Sequence, residues 1–258
     1  MVRGIDSFRK WFAGFEEQYT IIGGTACDLL MTESSLTFRA TKDIDLVLII
    51  EAVTPEFGRR FWEYVTKAGY EHRKSSTGQM QFYRFNKPSS SEYPAMIELF
   101  SRRPEGIKLP SEAVLTPMPI DEEISSLSAI LLDEEYYAFL KSGRVNVSGV
   151  EILDTVHLIP FKAKAWMDLT DRAVAGQQIS GRDLKKHRND VFRLYQILPN
   201  DDIHVEVPAG VRRDMELFLE KIADERIDLK QLGLAGYTME EVIDGLRKIY
   251  LQESGHTG

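Results

Sequence analysis

A single cysteine, Cys27, is present among 258 residues, so an intramolecular disulfide and a Cys-based zinc cluster are both excluded. No apolar run reaches the roughly 18 to 20 residues needed to span a bilayer. The Met-Val-Arg-Gly start lacks the apolar stretch of a secretory signal. The expectation from these absences is a cytoplasmic protein without a membrane partner. Also missing are a GxxxxGK[ST] phosphate loop, an HExxH zinc helix and a GxSxG elbow, which removes the common ATPase, metalloprotease and serine-hydrolase readings. Positive charge is in deficit as well, with 32 Lys and Arg against 40 Asp and Glu and a net charge of -8. That balance argues against broad electrostatic adhesion to nucleic acid, which draws on a basic surface to release counterions. Local docking stays open, because Lys162, Lys164, Arg182, Lys185, Lys186, Arg188 and Arg193 gather in one part of the chain. The five histidines are scattered, and His187 reads as a surface residue.

What is present has the pattern of an α+β protein: a mixed sheet with flanking helices, then a helical C-terminal portion. Phe8, Trp11, Phe12 and Phe15 recur at helical spacing and predict an amphipathic first helix with a core-facing aromatic side. A short apolar strand, Tyr19 to Ile22, is followed by Gly23-Gly24-Thr25 and a helix through Leu30. The run from Asp43 to Ile50 reads as a central strand. Pro55 opens a helix that Gly69 closes. Gln79 to Phe85 and Ala95 to Phe100 read as strands, Ile120 to Gly143 as a helix, and Val145 to Leu153 as a strand pair. Beyond Pro160 four helices are expected, near Phe161 to Ala175, Gly181 to Leu198, Ala209 to Ala223 and Met239 to Gln252. The division this predicts is an α+β portion over 1–156 and a helical portion over 157–258.

The chemistry is suggested by Asp43 and Asp45. Alternate residues of a strand share a face, so the two carboxylates project together. Like charges so placed destabilise each other unless a cation neutralises them, and hard oxygen ligands suit magnesium, or manganese in its place. The competing explanation is an exposed strand end whose aspartates cap a turn. Upstream, Gly23 and Gly24 lie between strand and helix, where a backbone can approach phosphate and helix-start N–H groups point toward the anion. Thr25 adds a hydroxyl. Glu98 interrupts the apolar strand Met96 to Phe100, and it either completes a three-carboxylate metal site and serves an attacking hydroxyl or faces water at a sheet edge.

The stretches Ile21-Ile22-Gly23-Gly24-Thr25-Ala26 and Arg39-Ala40-Thr41-Lys42-Asp43-Ile44-Asp45-Leu46 resemble the DNA polymerase beta-like nucleotidyltransferase superfamily. Within it the chain looks most like the AbiEii branch, the nucleotidyltransferase toxins of bacterial toxin-antitoxin and phage-defence systems. Pro160-Phe161-Lys162-Ala163-Lys164-Ala165 and Lys185-Lys186-His187-Arg188-Asn189-Asp190-Val191 are similar to later motifs of that branch. The likeness covers most of the chain to about Leu198 and is strong at the first two motifs. The interval between Gly24 and Asp43 is longer than the family pattern, and Thr25 replaces a frequent serine. The resemblance implies transfer of a nucleoside monophosphate from a nucleoside triphosphate to a hydroxyl on RNA or protein, with Asp43, Asp45 and Glu98 as catalytic and metal-binding residues. It also implies nucleotide contacts at Gly23, Gly24, Thr25 and Lys162, with Asp190 positioning the nucleotide or Lys162, and a cognate antitoxin as a partner. Lys162 and Lys164, two apart on a helix, cannot both face one site, and the sequence leaves open which of them contacts phosphate. Two other readings stand beside this one: modification of a small molecule such as an aminoglycoside, and a nucleotide-binding interaction module without chemistry.

Overall fold

The computed structural model describes residues 2–77, 80–101, 130–131, 133–199 and 205–252. Two compact units result, one formed by 1–121 with 143–154 and the other by 122–142 with 155–258. The first is built on a sheet and the second on helices, and together they give the α+β composition that the sequence predicts.

The sheet unit opens with helix α1 (Ile5–Trp11), a short 3-10 turn, and strand β1 (Tyr19–Ile22). Helix α2 (Gly23–Glu33) starts on the residue after β1 ends. Strand β2 (Asp43–Leu48) follows, then α3 (Pro55–Lys67), β3 (Glu71–Thr77), β4 (Met80–Asn86) and β5 (Met96–Ser101). Strands β6 (Arg144–Val147) and β7 (Val150–Leu153) complete seven strands among the described residues, in the order β3-β4-β5-β2-β1-β7-β6. The central β2 runs antiparallel to β1 and parallel to β5, while β1 pairs in parallel with β7. Strand β3 is polar in sequence and lies at an edge of the sheet. For that reason the sequence pattern reveals β4 but not β3.

The two faces of the sheet differ in chemistry. Register places Tyr19, Ile21, Ile44, Leu46, Leu48, Ile97, Leu99 and Phe85 on one face. Rings of α1 and α3 close over it: Phe8 lies 5.4 Å from Tyr19, and Phe61 lies 5.3 Å from Phe85. Each buried ring removes a large apolar area from water, worth roughly 1.5–3 kcal/mol per side chain. Helix α3 is fixed at its start by Thr54, whose hydroxyl accepts from the Phe57 amide at 3.2 Å, with Pro55 at the first helical position. The opposite face carries Thr20, Asp43, Asp45, Glu98 and Arg84.

The helical unit contains α4 (Glu134–Ser142), α5 (Thr155–Val174), α6 (Gly181–Tyr195), α7 (Ala209–Ala223) and α8 (Met239–Tyr250). The sequence pattern extends α4 back to Ile120, which falls outside the described residues, as does the Ser-Gly-His-Thr-Gly tail. Helix α5 begins at Thr155, six residues before the expected start, and runs through Pro160. A proline there cannot donate to the carbonyl four residues earlier, that of Val156. The buried Tyr250 hydroxyl of α8 donates to that same carbonyl at 2.6 Å, which is why the helix tolerates its proline. Trp166 meets Phe218 edge-on at 5.5 Å, Tyr136 meets Phe161 at 5.2 Å, and Thr238 with Glu241 forms a capping box on α8.

Candidate active site

The start of β2 and the start of α2 meet. Asp45 stands in register with Ile22, the last residue of β1, on one side and with Glu98 of β5 on the other. Neighbouring strands lie about 4.8 Å apart, so Asp45 and Glu98 are side by side, with Asp43 two residues away on the same face. Asp43 and Asp45 are half-buried, and Glu98 is buried at 7% exposure.

Gly23 has φ of +70°, and a Cβ added to it would fall 1.7 Å from Asp45 Oδ2. The Asp45 carboxylate therefore rests against the backbone of the first residue of α2, a conformation and a closeness that only glycine permits. At Gly24 a Cβ would meet Thr41 Oγ1 at 3.0 Å and Arg39 Nη2 at 3.2 Å, so the loop ahead of β2 folds back onto the same helix start. The residue capping α2, Ile22, offers no side-chain acceptor to the first turn, where the amides have no intrahelical partner. Thr25 is fully buried, and its hydroxyl donates to the Asp43 carbonyl at 2.6 Å. The hydroxyl proton is thus directed to β2 and bolts α2 to the strand that carries the acids.

Glu98 is engaged by Arg84, its register partner on β4. Arg84 Nε donates to Oε1 at 2.8 Å and Nη2 lies 2.6 Å from the same oxygen, with side-chain exposures of 12% and 9%. Among the described residues no group of three His, Cys, Asp or Glu side chains is arranged to hold a metal; Glu98 shares its face with Asp43 and Asp45 but is drawn to Arg84. A buried carboxylate needs a matching cation, and Arg84 supplies it. Asp43 and Asp45 are the pair whose oxygen chemistry and shared face fit a divalent cation. Arg84 and Arg39 escaped the sequence reading. Arg84 is one polar position of an alternating strand, and alternation does not say which polar residue meets an acid; Arg39 lies in a stretch without periodicity.

Lys162 and Asp190 belong to the helical unit. Lys162 Nζ lies 3.2 Å from Asp190 Oδ2, both side chains nearly fully buried at 5% and 0%, and Arg193 approaches the other Asp190 oxygen at 3.7 Å. Lys164 turns instead to Asp214, at 2.8 Å. Tyr136 donates to the same Asp214 oxygen at 3.1 Å; burial first, then the Asp214 charge, push its hydroxyl well above the ordinary tyrosine range, so it stays a donor. The two lysines thus face different partners, as their spacing requires. Arg188 pairs with Glu225, so at least four of the seven clustered cations are bound to carboxylates, while Arg182 and Lys185 are exposed. His187, expected at the surface, is buried on α6.

No protein-family model matches the chain, and no curated protein sequence matches it. Among solved structures it is similar to an antigenic nucleotidyltransferase-like protein from Paracoccidioides brasiliensis, at 14% identity and a TM-score of 0.39 over 90% of this chain and 93% of that one. It is also similar to the Megavirus polyadenylate synthase, at 10% identity and a TM-score of 0.37 over 85% of this chain and 37% of that one. A cytoplasmic RNA terminal U-transferase matches at 10% identity and a TM-score of 0.32, over 96% and 65% of the two chains. Likenesses this distant establish neither family nor activity. No described helix is long and apolar enough to cross a membrane.

Proposed function

We propose that the chain is a metal-dependent nucleotidyltransferase that moves a nucleoside monophosphate from a nucleoside triphosphate to a hydroxyl acceptor. The observation that carries this reading is the contact of the Asp45 carboxylate with Gly23. It brings a cation-binding pair of acids and an anion-accepting helix start to one point, the two requirements of a metal-bound triphosphate. The amides of Gly23 and Gly24 hold the outer phosphates, and Asp43 and Asp45 hold the cation. Magnesium, or manganese in its place, neutralises charge on the phosphates when bound. Thr25 keeps Asp43 in register with the helix start. Glu98 serves the attacking hydroxyl, which displaces pyrophosphate from the α-phosphorus. The AbiEii resemblance assigns Lys162 to the triphosphate, and its ion pair with Asp190 fits the accompanying role of Asp190 in holding that lysine.

The acceptor under this reading is an RNA or protein hydroxyl, as for a toxin with a cognate antitoxin in the cytoplasm. A second acceptor class is favoured by a specific observation: four cations of the basic cluster are neutralised internally and the net charge is -8, which suits a small polycationic acceptor such as an aminoglycoside. The test is incubation with each labelled triphosphate, magnesium, and separately total RNA, protein or aminoglycosides, beside an Asp43→Asn control. Transfer to RNA or protein only by the unmodified chain supports the first class, and transfer to the drug supports the second. Triphosphate binding with no pyrophosphate release on any acceptor replaces both with a nucleotide-binding interaction module.

A further inference from the structure

The pair Arg84–Glu98 stands beside Asp45, inside the candidate site rather than at its margin. Two donors of one guanidinium converge on a single Glu98 oxygen, at 2.8 and 2.6 Å, and both residues are withdrawn from water. Within such a low-dielectric environment a carboxylate is matched by one close cation, and a second cation at similar range meets the charge of the first. Arg84 and a divalent ion therefore compete for Glu98. The group best able to draw a guanidinium away from a carboxylate is one carrying more negative charge in the same forked geometry, and a triphosphate does so.

We propose that Arg84 is a positioning residue that couples metal binding to triphosphate binding, by holding Glu98 out of the cation's ligand set until triphosphate claims the guanidinium. The proposal rests on the nucleotidyltransferase reading of Asp43 and Asp45. By linkage the coupling is reciprocal: whatever the triphosphate adds to metal affinity, the metal adds to triphosphate affinity.

The experiment is a manganese titration of the full chain by electron paramagnetic resonance, with and without a non-hydrolysable triphosphate analogue, on wild type, Arg84→Gln, Arg84→Lys and Asp45→Asn. Wild type is expected to bind manganese weakly alone and more tightly with the analogue. Arg84→Gln is expected to bind manganese without analogue about tenfold more tightly than wild type, the scale on which partners of metal-binding side chains act, and to lose most of the enhancement by analogue. Because Arg84→Gln leaves a buried carboxylate uncompensated, its melting temperature should rise more on adding manganese than that of wild type. Arg84→Lys, which keeps the charge without the fork, should shift affinity in the same direction by a smaller factor, and it serves as the test if the glutamine variant does not fold. Weaker or unchanged manganese binding in both Arg84 variants, with wild type binding normally and Asp45→Asn binding poorly, overturns the role of Arg84 and leaves the nucleotidyltransferase reading standing. Failure of wild type to bind manganese even with the analogue overturns both.

Discussion

Among the described residues each unit holds a buried ion pair, Arg84–Glu98 in one and Lys162–Asp190 in the other, and the two sit in opposite electrostatic company. On the sheet, Glu98 and Arg84 are flanked in register by Asp45, with Asp43 on the same face. Among the helices, Asp190 and Lys162 are joined by Arg193. The first region has acid in excess and the second has base in excess. A surplus of acid that leans on a helix start calls for a cation that itself carries phosphates; a surplus of base around one buried aspartate secures the packing of α5 on α6 and keeps a lysine in a fixed pose. The same salt bridge, read without its neighbours, says nothing about ligand.

The largest effect should come from removing the acid surplus. Asp43→Asn or Asp45→Asn is expected to lower nucleotidyl transfer at least about 100-fold, with the circular dichroism spectrum and melting temperature close to wild type. Activity surviving in both variants would erase the functional contrast between the regions. Next is the helical pair. Asp190→Ala leaves Lys162 buried without its carboxylate and should cost about 3–5 kcal/mol by urea unfolding, whereas Lys162→Met with Asp190→Leu should recover most of the loss. If that double variant is stable and still active, the pair serves the fold alone. Gly23→Ala should cost about 1–2 kcal/mol for the left-handed backbone; because its Cβ would displace the Asp45 carboxylate, activity should fall more than stability does, read as kcat/KM beside a melt. Smallest is Thr25→Val, which removes one buried hydrogen bond worth about 1 kcal/mol. An unchanged stability there would show that the Asp43 strand needs no bolt.

Much of this arrangement was legible beforehand. The Asp43, Asp45 and Glu98 strands follow from apolar runs interrupted by single acids, and β-strand parity places those acids on one face once the strands pair. Gly23 was marked by its position between strand and helix, although the turn pattern did not reveal that its missing side chain makes room for Asp45. What could not be read was partnership across strands: nothing local pairs Arg84 with Glu98, since register is set by the whole sheet. Pro160 misled for a similar reason. Its usual effect on a helix is local, whereas the hydroxyl that offsets it, from Tyr250, comes from the far end of the chain.

The strand order has a consequence for how the protein is made. Strand β1 leaves the ribosome well before its parallel neighbour β7, with which it pairs through Ile21 and Ile152. At ordinary rates of translation the interval between them is on the order of ten seconds. Throughout that time one edge of an apolar strand next to the acids lacks its mate, the situation in which nascent chains associate wrongly. The sheet on which Asp45 depends is thus finished late, and a chaperone that shields β1 during synthesis should raise the yield of folded protein more than one that acts on the completed chain.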